Sequence, residues 1–141
     1  MLFDLTITGP GMFSIKDLFD LSLELDVRIE TKIMFAFHAD IVFSPFAWPK
    51  HILHRHLDEL LAYIEPKATH KQLTLVNTLK GMKDRETFEE QWPDTHEEQF
   101  FNGRNYQEQL DRIRQEQHRL EDIYKADPEL YDWWTRQKKE K

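Results

Sequence analysis

Cysteine is missing from all 141 residues. That excludes a disulfide framework, a thiol nucleophile and any zinc site built on thiolates. Glycine is nearly as scarce, with four in the chain. Two of them flank Pro10, and Gly9-Pro10-Gly11 reads as a turn, without the pattern or the lysine of a phosphate-cradling loop. Ser14, Ser22 and Ser44 stand outside the context of a nucleophile elbow. No stretch approaches the roughly 20 consecutive apolar residues that span a bilayer, so no membrane association is expected. The first twelve residues also lack the basic start and unbroken apolar segment of a secretory leader. These absences lead to the expectation of a soluble, cytoplasmic protein.

Positive charge is short as well. The chain has 19 Lys and Arg against 26 Asp and Glu, a formal net charge of -7. Binding to nucleic acid through bulk charge needs the opposite balance, so direct nucleic-acid binding is not expected. The acid is unevenly spread. Residues 84–101 hold seven acids and one base, with Glu86, Glu89, Glu90, Asp94, Glu97 and Glu98 forming a dense block. The last nine residues reverse the sign, with Arg136, Lys138, Lys139 and Lys141 against one acid. That tail, behind Trp133 and Trp134, reads as a disordered or helix-capping end; stacking on nucleic acid is its rarer use.

What is present begins with an alternation. Phe19, Leu21, Leu23, Leu25, Val27, Ile29, Ile33, Phe35 and Phe37 occupy odd positions, broken once by Thr31. The even positions are mostly polar, and Asp20, Glu24, Asp26 and Glu30 would share one face of a sheet. A period of two is the signature of strand. One strand over 19–37 would run roughly 60 Å, too long for a small domain, so a reversal is expected near Glu30-Thr31-Lys32. Leu2–Thr8 reads as a strand with Phe3, Leu5 and Ile7 inward, and His38-Ala39-Asp40 as a second turn. Together these predict an α+β fold with an N-terminal antiparallel β-sheet of three to four strands, packed by a helix.

The rest reads as helix. Leu53, Leu57, Leu60, Leu61 and Ile64 fall on one face of a helix over 49–65, stopped by Pro66. Thr69 and Gln72 form a candidate capping box before Leu73–Leu79. Asp94 and Glu97 have the spacing of a cap for a short helix that Asn102-Gly103 closes. Tyr106, Leu110, Ile113, Gln117, Leu120 and Tyr124 then step by four and three along a long helix at 105–126, a narrow seam suited to one partner helix. Asp127-Pro128 caps a last short helix at 128–139. The expected division is an α+β core at 1–101 and a helical C-terminal extension at 102–141.

Three functional readings follow. His51, His54 and Asp58 stand at helical spacing of three and four and are the candidate metal ligands. His54-x-His56-x-Asp58 resembles part of the metal-binding run of metallo-β-lactamase-like hydrolases. That run has another His where this chain has Glu59, and it lies in a loop where this stretch reads as helix. A solvated polar face is the plainer account, so no cofactor is expected. The favoured reading is a small acidic non-enzymatic binding protein, an inhibitor or regulator of the phage or bacterial kind. Its acidic block and its paired tryptophans, Trp133 and Trp134, would engage a protein partner with a basic surface, such as a nucleic-acid-processing machine. The alternative is a structural or assembly subunit, homo-oligomeric through the 106–124 seam; a metal-dependent hydrolase comes third.

Overall fold

The first part of the alternating run, residues 19–25, folds as helix, and Arg28–Ile33 as strand. The computed structural model describes residues 2–33, 42–114 and 119–137. The chain opens with strand β1 (Leu2–Ile7), a 3-10 turn (Pro10–Ser14), helix α1 (Ile15–Leu25) and strand β2 (Arg28–Ile33). β1 and β2 pair in parallel, from Leu2 opposite Arg28 to Ile7 opposite Ile33. The antiparallel sheet of three to four strands is therefore corrected: among the described residues the sheet has two parallel strands, and the chain is mostly helical.

The reason lies in the side chains and in the geometry of connection. Parallel strands need a crossover, and α1 supplies it. Within α1 only Ile15 is β-branched, whereas Val27, Ile29, Thr31 and Ile33 concentrate β-branching at β2. α1 buries Ile15, Phe19 and Ser22, spaced four and three, which is one helical face. The alternation leaves Leu21 and Leu25 stranded at 41% and 52% exposure. Asp26 ends the helix in the left-handed conformation (φ 53°). Its N–H donates to the Leu23 carbonyl at 3.3 Å, and the Val27 N–H to Ser22 at 2.9 Å, closing a Schellman motif. Aspartate is one of the few side chains that tolerates this backbone. A hydrogen bond and the charge from Lys71, 2.9 Å away, hold the Asp26 carboxyl below its ordinary pKa.

The reversal expected at Glu30-Thr31-Lys32 is also corrected, since β2 runs straight through it. The common acidic face dissolves with it: Asp20 and Glu24 lie on α1, Asp26 in the turn and Glu30 on β2. The turn at His38-Ala39-Asp40 lies outside the described residues.

Ser44 accepts the Phe46 N–H at 3.2 Å and starts a 3-10 turn (Pro45–Ala47) that leads into α2 (Lys50–Ile64). α2 buries Ile52, Leu53, Leu57, Leu61 and Ile64, with Leu60 partly covered. The Thr69/Gln72 capping box forms: the Thr69 N–H donates to Gln72 Oε1 at 2.9 Å, and α3 (Leu73–Lys83) follows. Gln72 Nε2 also donates to the buried Ser22 hydroxyl at 3.1 Å, tying α3 to α1.

α4 (Phe88–Gln91) is one turn, and α5 (His96–Arg114) is continuous through Asn102-Gly103. A single glycine in a helix interior costs about 1 kcal/mol, too little to stop a helix of this length. The single helix at 105–126 is replaced by α5 and a separate α6 (Leu120–Tyr124); Gln117 lies outside the described residues. The seam divides accordingly. Ile113 is 77% and Tyr106 42% exposed, while Leu120 and Tyr124 are buried in the core. α5 instead turns Phe100, Gly103, Gln107 and Asp111 inward. Asp111 accepts from Gln107 Nε2 at 2.8 Å and from the Leu120 N–H, at the start of α6, at 3.4 Å. α7 (Pro128–Thr135) follows Asp127, whose carboxylate accepts the Glu129 and Leu130 N–H groups at 3.1 and 3.4 Å.

The boundary drawn at 101/102 falls inside α5, and Leu120, Tyr124, Leu130 and Trp134 share one core cluster with Ile7, Phe19 and Leu57. At its centre Trp48 Nε1 donates to Tyr124 Oη at 3.1 Å, with the rings edge to face. Among the described residues no helix is long and apolar enough to cross a membrane.

Candidate functional site

The site is built where α4, the start of α5 and the end of α7 meet. At α4, Glu90 accepts the Thr87 N–H at 3.3 Å, the return arm of a capping box. That hydrogen bond, together with Lys50 at 3.2 Å, keeps the Glu90 carboxyl below its ordinary pKa. Phe88 is buried, and Trp92 tilts against it at 5.3 Å. The chain then turns so that the His96 N–H donates to the Trp92 carbonyl at 2.9 Å. The His96 ring bonds the same carbonyl through Nδ1 at 3.1 Å. A carbonyl only accepts, so Nδ1 is the donor of that bond, and Nε2 faces the carboxylates of Glu89 (4.0 Å) and Glu97 (3.7 Å).

α7 supplies the other wall. Adjacent residues on a helix diverge by about 100°, so the two tryptophans part company. Trp134 is buried in the core, while Trp133 is half-buried and lies on Phe100 with centroids 4.5 Å apart. Just beyond α7, the Arg136 guanidinium lies 4.2 Å from the Phe100 centroid and 5.2 Å from that of Trp133. It pairs with the Glu97 carboxylate, and its Nη1 donates to the Trp133 carbonyl at 2.8 Å. Arg104, one turn after Phe100 on α5, fixes this end of the chain. Its Nη1 donates to the carbonyls of Trp134 and Arg136, each at 2.7 Å. Burial lowers the Arg104 pKa, and the nearby Arg136 charge lowers it further against the pull of Glu108. A cavity of about 30 Å³ remains beside Arg136, between Phe88, Glu89, His96, Glu97, Phe100 and Trp133.

Aromatic faces and carboxylates converging on one point are the chemistry of a cation receptor, because the ring faces and the acids both carry negative potential. The side chain already resting there is a guanidinium.

Of the residues singled out in the sequence, Glu89, Glu97 and Trp133 come together here. Asp94 and Glu98 are exposed nearby in the chain, and Glu86 is exposed with its carbonyl accepting from Gln91. Glu90 is engaged by its cap and Lys50, and Trp134 belongs to the core. Arg136 comes from the basic tail, and Phe88, His96, Phe100 and Arg104 complete the site without having been marked. The spacing of Phe100 and Arg104, four apart on a helix, and a basic tail facing an acidic block were the signals available.

The histidine cluster is drawn apart. His51 faces Glu129 at 3.5 Å, Asp58 pairs with Lys83, and His54 Nε2 is buried with no hydrogen-bond partner among the described residues. Among the described residues no group of three His, Cys, Asp or Glu side chains is arranged to hold a metal ion. His56 instead bonds Asp127 at 2.6 Å, beside Arg55 at 2.8 Å. Burial opposes the Asp127 charge, but hydrogen bonds from His56, Arg55 and the Leu130 N–H outweigh it and keep its pKa below the ordinary value.

Compared with family models, curated proteins and solved structures, the chain finds no match in any of the three.

Proposed function

We propose that this chain is a non-catalytic binding protein that seats a basic surface of a partner protein on the acidic face of α4 and the start of α5. The observation that supports this best is the convergence of Glu89, Glu97 and Trp133 around a guanidinium. Clustered acid steers a basic partner, and a half-buried tryptophan gives it an anchor. A nucleic-acid-processing machine is the proposed partner class, because its phosphate-binding groove is basic. Occupying such a groove would make the chain an inhibitor or regulator, working in the cytoplasm.

The test is affinity capture from source-cell lysate, read by mass spectrometry, with wild type beside Glu89→Lys/Glu98→Lys. Both positions are exposed, so reversal leaves the fold intact. A stoichiometric partner lost on reversal is the expected result. The same partner retained by both proteins would overturn the reading.

A second reading rests on Tyr106 and Ile113, exposed one above the other on α5. Such a strip suits self-association of an assembly subunit. Light scattering that gives a monomer at high concentration would remove it.

A further inference from the structure

We infer that the Phe100–Trp133–Glu97 cage is a receptor for one arginine side chain of the partner, and that Arg136 fills it as an internal stand-in until the partner displaces it. This rests on the reading of the acidic face as a docking surface and names the group that docks.

Three observations carry it. The cage already holds a guanidinium, 4.2 Å from the Phe100 centroid and 5.2 Å from that of Trp133, paired with Glu97. Such a site selects a planar, forked cation over a point charge, which means arginine over lysine. The resident contact lies at the surface, with the Arg136 side chain 27% and the Glu97 side chain 55% exposed, so a ligand can reach it. Finally, the end of α7 has a hold besides the Arg136 side chain, which itself donates to the Trp133 carbonyl at 2.8 Å. Arg104 grips the Trp134 and Arg136 carbonyls, each at 2.7 Å, and these bonds stay when the Arg136 side chain swings out. The charge around the cage, with Glu89 on its wall and Glu98 exposed one residue beyond Glu97, is complementary to a basic partner and adds nothing for a neutral one.

The experiment uses the full chain and N-acetyl-arginine methylamide as probe, with the citrulline analogue as its neutral isostere. The Trp133 indole N–H resonance is followed by NMR in wild type and in Arg136→Ala. If the stand-in occupies the cage about nine-tenths of the time, its removal strengthens probe binding roughly ten-fold. The expected result is that Trp133 responds to the arginine probe at lower concentration in Arg136→Ala than in wild type, and that citrulline gives no response. Adding Glu97→Gln should then abolish the gain. Arg136→Gln keeps the side-chain stem and serves as the second variant should the alanine protein fail to fold. An unresponsive Trp133 in a folded Arg136 variant, or equal responses to arginine and citrulline, would overturn the inference. The titration needs no partner. A cage that is inert while capture remains sensitive to Glu89/Glu98 reversal removes the arginine receptor alone. A responsive cage with insensitive capture removes the acidic docking face alone.

Discussion

Arg104 and Arg136 are held together in spite of their like charge. Arg104 Nη1 donates to the Arg136 carbonyl at 2.7 Å, while the two guanidinium groups lie 5.6 and 4.2 Å from the centroid of Phe100. A cation on the last carbonyls of a helix satisfies groups the helix cannot, and Arg104 does this for α7 from α5. Arg104→Met should therefore cost about 2 kcal/mol, since it removes charged hydrogen bonds from two carbonyls. Urea unfolding measures the loss, and the Trp133 indole resonance should broaden or shift with it. An unchanged midpoint would show that α7 does not depend on the Arg104 hydrogen bonds.

Gly9 and Tyr124 form a second dependent pair. A methyl group on Gly9 would stand 2.5 Å from Tyr124 Oη and 3.1 Å from Trp48 Nε1. Gly9→Ala should destabilise by about 1–3 kcal/mol through overpacking. Tyr124→Phe should cost a similar amount, because it leaves the buried Trp48 N–H without its acceptor. The two changes share one contact, so the double mutant should be more stable than their sum implies. A double-mutant cycle by chemical denaturation checks this, and strict additivity would contradict it.

Asp127 links α7 to α2 and should make stability depend on acid. Its pKa is held below an ordinary value of 3.8, so the folded state favours the charged form. The stabilisation is complete above that value and is lost as pH falls through the lower, folded pKa. Asp127→Asn keeps a cap acceptor but loses the charge. It should be less stable than wild type near pH 7 by about 1–2 kcal/mol, and the gap should narrow as the carboxylate of the wild type is protonated. Urea midpoints across the acid range read this directly.

The divided seam makes a contrast between two residues that looked equivalent. Leu120 is 3% exposed and Ile113 77%. Leu120→Ala should cost about 2–5 kcal/mol by leaving a cavity. Ile113→Ala should stay within about 0.5 kcal/mol. Comparable losses at both sites would restore the single helix over 105–126.

Helices with wide, regularly spaced apolar faces were legible in the sequence. α2 shows its buried face in Leu53, Leu57, Leu61 and Ile64, and α3 its start in Thr69 and Gln72. The run from Phe19 was not, because a period of two outweighed composition. The helix there is settled by the lack of β-branched residues and by long-range burial of Phe19, at the expense of two exposed leucines. Its end carries no glycine, since Asp26 itself takes the left-handed backbone. Asn102-Gly103 misled in the other direction, as a helix-ending pair inside a helix that packing keeps whole. For the site, the acids and Trp133 could be named from clustering alone. Their meeting with Phe100, 33 positions before Trp133, depends on α7 folding back on α5, which no local pattern encodes.

The central claim is that the partner sits on the carboxylates of α4 and early α5. Zero-length crosslinking of the captured complex, which joins a carboxylate to a touching lysine, tests it most directly. The account predicts crosslinks from Glu86, Glu89, Asp94 or Glu98 to lysines of the partner. Crosslinks confined to acids elsewhere, such as Asp17, Glu24, Asp122 or Asp132, would contradict it.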